Sequence, residues 1–293
     1  MRTRSAPVER NLIPRSIRVS RIGEDEAVRV SSATLGVVVV WIGAALFLDQ
    51  HVGYGGQLLL GIGTAAVLAG LLAVQPRTVR LQTLAVVGIA TIGEVIGSLI
   101  WGLYHYRLDN LPAFVPPGHG LVYLGGLSLG ALVAGRSRAL LLVAGVVAAT
   151  WGVAGITVLP SPDASGTMGC AFLIGVLVWT RRPVYAGVFM VVMALELYGT
   201  AIGTWTWEPL VPGLRLSQGN PPSGVASGYV VFDVLAIALV ARTGLALALL
   251  QSRRARRTSG STTVPVLMSS RPESTLPQTS QSRNPRALPS PST

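Results

Sequence analysis

Long apolar segments with almost no charged residues constrain this chain more than any other feature. Only 12% of its 293 residues are charged and 50% are hydrophobic, whereas soluble domains carry about 25% charged residues. A helix of about 20 apolar residues crosses the hydrocarbon core of a bilayer. The sequence therefore predicts an all-α fold, a polytopic integral membrane helix bundle with about eight transmembrane helices. The predicted spans cover residues 33–49, 57–74, 81–102, 119–134, 139–159, 166–180, 183–203 and 224–242.

The charged residues are distributed unevenly. The chain has 23 basic and 12 acidic residues, a net charge of +11, and the basic excess collects at both ends and after the second, fourth and sixth predicted spans. Connections rich in Arg remain on the cytoplasmic side of a membrane. We therefore expect a multi-pass protein of the cell membrane with cytoplasmic N- and C-termini. Membrane lipids are the expected partners, and nucleic acid is not, because a nucleic-acid protein needs its positive charge on a folded face.

The changes in composition predict four regions. The last predicted span ends near Arg242, and we expect residues 243–250 to lie at the membrane interface. The single cysteine, Cys170, can form neither an intramolecular disulfide nor a Cys-x-x-Cys metal site. The regions are a disordered cytoplasmic Arg-rich N-terminus (1–30), a first four-helix repeat (31–138), a second four-helix repeat (139–250) and a disordered basic cytoplasmic tail rich in Ser, Thr and Pro (251–293).

The repeat prediction depends on a motif that occurs twice. The pattern Glu-x-x-Gly-(Ser/Thr)-x-Ile begins at Glu94 and again at Glu196, at an offset of 102 residues. Each Glu follows a basic residue by 14 positions, and each motif precedes aromatic residues and a loop with paired prolines. Repeats of four spans have the same orientation, as the parallel repeats of some transporters do. We therefore expect equivalent elements to face each other across a central cleft.

Three acidic residues lie inside predicted spans. At about 1.5 Å per residue, Glu94 and Glu196 lie about 21 Å from the cytoplasmic border, in the outer half of the membrane, and Asp233 lies near the middle. Acidic side chains at such depth cost about 2.5–3.5 kcal/mol and usually mark a functional cavity. We therefore assign Glu94, Glu196 and Asp233 as candidate catalytic residues. The alternative is that they are protonated groups that hydrogen-bond neighbouring helices.

Four polar residues in or after the proline-rich loops are candidate substrate-binding residues. For His119 the alternative is a helix cap or a solvent-facing side chain, and for Asn220 it is a turn. The aromatic residues beside each motif, Trp101, Tyr104, Trp205 and Trp207, lie where an outer aromatic belt is expected. The four candidates are His119, Tyr123, Asn220 and Tyr229.

The Glu-x-x-Gly pattern followed by Tyr104-x-Tyr106 resembles a pattern in membrane proteins of bacterial carotenoid synthesis, including hydratases. The resemblance covers a short stretch of the chain, and no function is transferred from it.

Three functions fit these features. In a membrane-embedded enzyme acting on a lipid or isoprenoid, Glu94 and Glu196 would be a proton donor and acceptor whose proton affinities differ because of burial and mutual repulsion. A proton- or ion-coupled transporter of a small solute could use the same carboxyl groups, and a non-catalytic membrane scaffold is the third alternative. The sequence contains no phosphate-binding loop and no His-Glu-x-x-His motif, so no metal or cofactor is assigned. The predicted outward position of both Glu residues favours the enzyme.

The predicted topology is tested with reporter fusions. Alkaline phosphatase, which is active only outside the cytoplasm, should be active when fused after Arg215 and inactive when fused after Arg181, because these residues lie in loops on opposite sides. Enzyme activity per amount of fusion protein is the measurement. An inactive fusion at Arg215 would contradict the topology.

Overall fold

The computed structural model describes residues 32–159 and 161–259 and is mostly helical, as an all-α bundle requires. A π-helical segment, Val95–Ile100, continues the third helix, and a 3-10 turn, Ala134–Arg136, precedes the fifth. The eight α-helices of the described residues are α1 (Ser32–Asp49), α2 (Tyr54–Ala73), α3 (Arg77–Glu94), α4 (Val115–Leu132), α5 (Ser137–Thr157), α6 (Ala164–Thr180), α7 (Pro183–Ala201) and α8 (Ala226–Ser259).

Six of these helices are long and apolar enough to cross a membrane. They are α1, α2, α3 with its π-helical continuation, α5 with its preceding turn, α7 and residues 226–247 of α8. The helix α6 is apolar but has only 17 residues, and α4 carries Pro116, Pro117 and His119 near its start. A membrane-embedded helical protein is therefore supported, whereas the count of eight spans stays a prediction.

The last helix is longer than predicted. It continues past Arg242 to Ser259 without a break, through the predicted interface segment 243–250 and the start of the predicted tail. Residues up to Leu247 belong to one compact unit, and the part from Ala248 to Ser259 belongs to a second one. The predicted N-terminus (1–30) and residues 260–293 of the predicted tail lie outside the described residues.

The centre of the main unit is the contact between α4 and α7. Every residue of α4 from His119 to Gly126 is buried. A Cβ atom at Gly126 would overlap the backbone of Val188, and one at Gly187 would overlap the carbonyl oxygen of Gly126. Glycine at these positions therefore brings the two backbones into contact, which is its usual role between membrane helices.

Two short strands connect the segments that follow α3 and α7. Strand β1 (Tyr104–Tyr106) pairs antiparallel with β2 (Trp205–Trp207), with His105 opposite Thr206. A second pair, β3 (Leu210–Val211) and β4 (Leu216–Ser217), lies within the loop that precedes α8. The β1–β2 pair joins the two stretches that the repeated motif makes equivalent, although the equivalence of the two complete halves stays a prediction.

A buried acid anchors a loop in each half. Asp49, at the end of α1, accepts a hydrogen bond from Gln57 (2.8 Å) and pairs with Arg107 (3.4 Å), which follows β1. Asp163, before α6, accepts from the backbone amides of Gly219 (2.9 Å) and Ser223 (2.6 Å) in the loop before α8. Both acids are fully buried. They hold the loops at the end of the bundle where Glu94 and Glu196 lie, and neither acid was predicted as a site residue from the sequence.

The Asp163 anchor predicts a large loss of stability on substitution. Asp163→Ala leaves the buried amides of Gly219 and Ser223 without an acceptor and should lower the free energy of unfolding by about 3 kcal/mol. Asp109→Asn is the control, because Asp109 is exposed in the left-handed region (φ 52°) that Asn also tolerates. Thermal unfolding of the full chain in detergent compares them. Equal midpoints for both variants would show that Asp163 is not an anchor.

Candidate active site

A cavity of about 220 Å³ lies among α1, α3, α4, α7 and α8. Its wall is mainly apolar and aromatic. Within the part of the chain that the structure describes, its ionisable lining residues are Glu94, Tyr104, Tyr106, His119, Glu196 and Tyr229.

Glu94 is buried at the junction of α3 and its π-helical continuation and has three partners. The hydroxyls of Tyr104 and Tyr106 donate to its Oε2 at 2.5 and 2.8 Å. The Nε2 of His119 lies 2.9 Å from its Oε1. Both carboxylate oxygens are therefore hydrogen-bonded, and His119 is a partner that can carry a positive charge.

Local structure explains how these partners reach Glu94. Successive side chains of a strand point to opposite faces, so Tyr104 and Tyr106 share a face of β1, and His105 between them is exposed. His119 lies in the first turns of α4, where Pro116 and Pro117 start the helix. Prolines fit the first turn of a helix, where the amide hydrogen has no partner within the helix.

Glu196 has the corresponding position on α7 but different partners. The indole N–H groups of Trp205 and Trp207 approach its Oε2 at 2.9 and 3.4 Å. The hydroxyl of Tyr229, on α8, lies 3.3 Å from its Oε1. All three donors are neutral. The two carboxyl groups thus share an arrangement of two aromatic donors from the following strand and one ring from a later helix. Only the partners of Glu94 include a group that can carry a positive charge.

The rings of His119 and Tyr229 are neighbours. Their centroids are 5.0 Å apart, so the third partners of the two carboxyl groups meet across the cavity. The Nδ1 of His119 is buried and has no hydrogen-bond partner. This nitrogen is an open position for a polar group of a ligand, since buried polar atoms are otherwise almost always satisfied.

The two tyrosines of β1 are hydrogen-bond donors rather than titrating groups. Burial, together with the nearby Glu94 carboxylate, raises the pKa of both the Tyr104 and the Tyr106 hydroxyl above the usual range. Each hydroxyl therefore keeps its proton at physiological pH and donates to Glu94 throughout.

The glycine of each motif makes room for an aromatic donor. A Cβ atom at Gly199, three residues after Glu196, would overlap the indole of Trp205. A Cβ atom at Gly97, three residues after Glu94, would lie 3.3 Å from the ring of Tyr104. The pattern Glu-x-x-Gly thus places an acid and the space for its donor on one helix face.

The structure brings together four of the seven residues that the sequence nominates. Glu94, Glu196, His119 and Tyr229 line the cavity. The other three nominated residues, Tyr123, Asn220 and Asp233, do not line the cavity.

These three residues have other surroundings. Asp233 is buried, and its Oδ2 has no hydrogen-bond partner among the described residues. The hydroxyl of Tyr123, which is also buried, donates to Gln82 (3.1 Å). Asn220 is exposed, and its side-chain oxygen accepts from the Trp207 amide (3.0 Å). Asn220 therefore positions β2, whereas Asp233 and Tyr123 are buried outside the cavity lining.

The aromatic-belt interpretation is wrong for Tyr104 and Trp205. Both side chains are buried and hydrogen-bond a carboxyl group of the cavity, whereas a belt residue faces the membrane interface. Trp101 is exposed and donates to the carbonyl of Pro212 (3.0 Å). The spacing of two residues between the aromatic side chains, Tyr104 to Tyr106 and Trp205 to Trp207, is the sequence signal of a strand face that could have identified the donors.

Known proteins do not define an activity for this site. Comparisons with protein-family models, with curated proteins and with solved structures find no match to this chain. Among the described residues no group of three or more His, Cys, Asp or Glu is placed to hold a metal ion. The function is therefore inferred from the cavity.

The glycine positions predict a graded effect on stability. Gly199→Ala should lower the free energy of unfolding by about 1–3 kcal/mol, because it overpacks the contact with Trp205, and Gly97→Ala should have a smaller effect. Gly70→Ala is the control, because Gly70 on α2 faces open space and Ala favours a helix by about 1 kcal/mol. Thermal unfolding in detergent ranks the stabilities of the three glycine variants. An equal loss of stability at Gly70 and Gly199 would contradict the role of the glycine.

Proposed function

We propose that the protein is a membrane-embedded enzyme that transfers protons on the uncharged end of a lipid or isoprenoid substrate. One observation carries the proposal: two buried glutamates with different partners line one largely apolar cavity. Pairs of carboxyl groups in unlike environments are the usual arrangement for acid and base roles.

The partners indicate which glutamate has which role. Glu94 is paired with His119 and accepts from two hydroxyls, and these contacts stabilise the carboxylate form. Glu196 is equally buried but has neutral donors only, so its ionised form is the more costly one to keep in an apolar site. Glu196 is therefore the proton donor and Glu94 the acceptor.

The charge of the cavity favours an uncharged substrate end. The wall includes two carboxyl groups and no Arg, and the sequence contains no Lys. Among the described lining residues, a phosphate or carboxylate group of a substrate would have no cation besides His119 and would be repelled by the Glu94 carboxylate. Substrates that bind through an anionic head group are thus disfavoured.

The remaining wall suits the reacting end of a hydrocarbon chain. The rings of Trp205, Trp207 and Tyr229 line the cavity beside Glu196, and aromatic rings stabilise a positive charge placed over their faces, such as the one that develops when a substrate atom is protonated. The open Nδ1 of His119 would orient a hydroxyl or water between the two glutamates.

We further propose that the protein lies in the cell membrane with both termini cytoplasmic and with eight spans in two repeats, so that the cavity lies in the outer half of the bilayer. The Arg distribution of the sequence supports this orientation. The matched environments of Glu94 and Glu196, and the two acid anchors at Asp49 and Asp163, support the repeat.

A proton-coupled transporter of a small solute is the second candidate. The observation that favours it is Asp233, a buried acid outside the cavity whose Oδ2 lacks a partner, one helical turn along α8 from Tyr229. Such an acid is typical of proton pathways in membranes.

The enzyme proposal is tested at the two glutamates. Glu94→Gln and Glu196→Gln should each lower activity by about 100- to 10,000-fold, the usual contribution of a general acid or base. They should leave membrane insertion and the thermal midpoint nearly unchanged. The measurement is lipid and metabolite profiling of cells with the wild-type protein, each variant or no protein.

Glu208→Gln is the matched control, because the Glu208 side chain is 43% exposed and pairs with His105 (3.2 Å) outside the cavity. Loss of folding in both cavity variants would support a purely structural role in helix packing. An unchanged lipid profile together with altered solute uptake would support the transporter.

A further inference from the structure

We infer that the hydrocarbon tail of the substrate leaves the cavity beside Trp41 and lies in a groove on the outer face of α1. This inference rests on the proposed function, because it requires a substrate with an apolar chain. It adds a binding site for the tail and a side chain that separates this site from the reacting groups.

The size of the cavity requires an exit for such a chain. Pockets that enclose a drug-sized ligand measure about 300–1,000 Å³, and this cavity measures about 220 Å³. It therefore holds the reacting end of a lipid or isoprenoid, and the rest of the molecule must pass between helices.

A groove on α1 borders the cavity at one residue. Its lining residues, Gly36, Val37, Val40, Trp41 and Ala44, follow the spacing of one helix face. Trp41 also lines the cavity, so the two spaces share this side chain as a wall. We call this surface the α1 groove.

Trp41 is the side chain that lines both the cavity and the α1 groove. Its indole N–H donates to the Thr64 hydroxyl (3.0 Å), which donates to the carbonyl of Leu60 (2.7 Å). The ring tip lies against Gly63, where a Cβ atom would be 3.0 Å away. The ring also packs against the buried cluster that contains Leu68 and Leu121, and it forms the boundary between the cavity and the groove.

Two of the other helices around the cavity are more buried than α1. The α4 wall is buried from His119 to Gly126, and half of α7 is buried. On α1, by contrast, Val37 and Val40 are 43% and 71% exposed, and the helix has no charged residue before Asp49. An uncharged apolar surface that borders the cavity at Trp41 suits a hydrocarbon tail.

The test uses a photoreactive probe and the full chain in lipid nanodiscs. The probe is a 20-carbon isoprenoid alcohol with a diazirine at the end remote from the hydroxyl, and modified residues are mapped by mass spectrometry. We expect saturable labelling of α1 at Val37, Val40 and Ala44 that the unlabelled alcohol displaces.

Two matched variants separate the groove from general lipid contact. Val40→Trp fills the groove and should weaken saturable binding of the probe about tenfold, the effect of losing about two buried methylene groups. Val146→Trp places the same ring on the exposed face of α5, where Val146 is 55% exposed, and should have no effect. Equal effects of the two variants, or labelling of α1 and α5 that does not saturate, would overturn the inference.

The same experiment distinguishes this inference from the proposed function. Saturable labelling of α1 in the Glu196→Gln variant would support the groove independently of any reaction. If Glu196→Gln abolished the lipid change in cells while the probe never labelled α1 of the wild-type protein, the groove would be wrong and the enzyme proposal would stand. If the probe labelled α1 but neither glutamate affected the lipid profile, the enzyme proposal would fail and the groove would stand.

Discussion

Two carboxyl groups buried in an apolar bundle need hydrogen-bond donors, and much of the architecture around the cavity supplies them. An unpaired polar group in such surroundings costs several kcal/mol. Glu94 and Glu196 each receive donors from a strand that follows their helix. Pairing of β1 with β2 holds those donors in place, and the buried acids Asp49 and Asp163 anchor the loops around them.

A small difference within this shared arrangement separates the two carboxyl groups chemically. The third partner is an imidazole for Glu94 and a phenol for Glu196. Only the imidazole can compensate a negative charge with a positive one. Two similar sites therefore provide one stable carboxylate and one carboxyl group suited to hold a proton, without any change in the surrounding fold.

The sequence identified those parts of the site whose signal is local. An acidic residue in an apolar span is conspicuous because placing its charge in the membrane costs free energy. Glu94, Glu196 and the glycine three residues after each of them could therefore be identified from the sequence. Tyr104 and Trp205 were assigned to a membrane belt, because an aromatic residue near the end of a span has the same local pattern whether it turns inward or outward. Asp233 and Asn220 were nominated on the same local grounds, and the structure places both outside the cavity lining.

The sequence by itself determined the helical class and the two acid motifs, because the length of an apolar run and the cost of a buried charge depend on neighbouring residues only. The tertiary structure decided which partner each acid receives and which helices line the cavity. His119 lies 25 residues from Glu94 and Tyr229 lies 33 residues from Glu196, and Trp41 reaches the cavity from the first helix. Such contacts depend on how separate helices pack against one another, and no spacing along the chain encodes that packing.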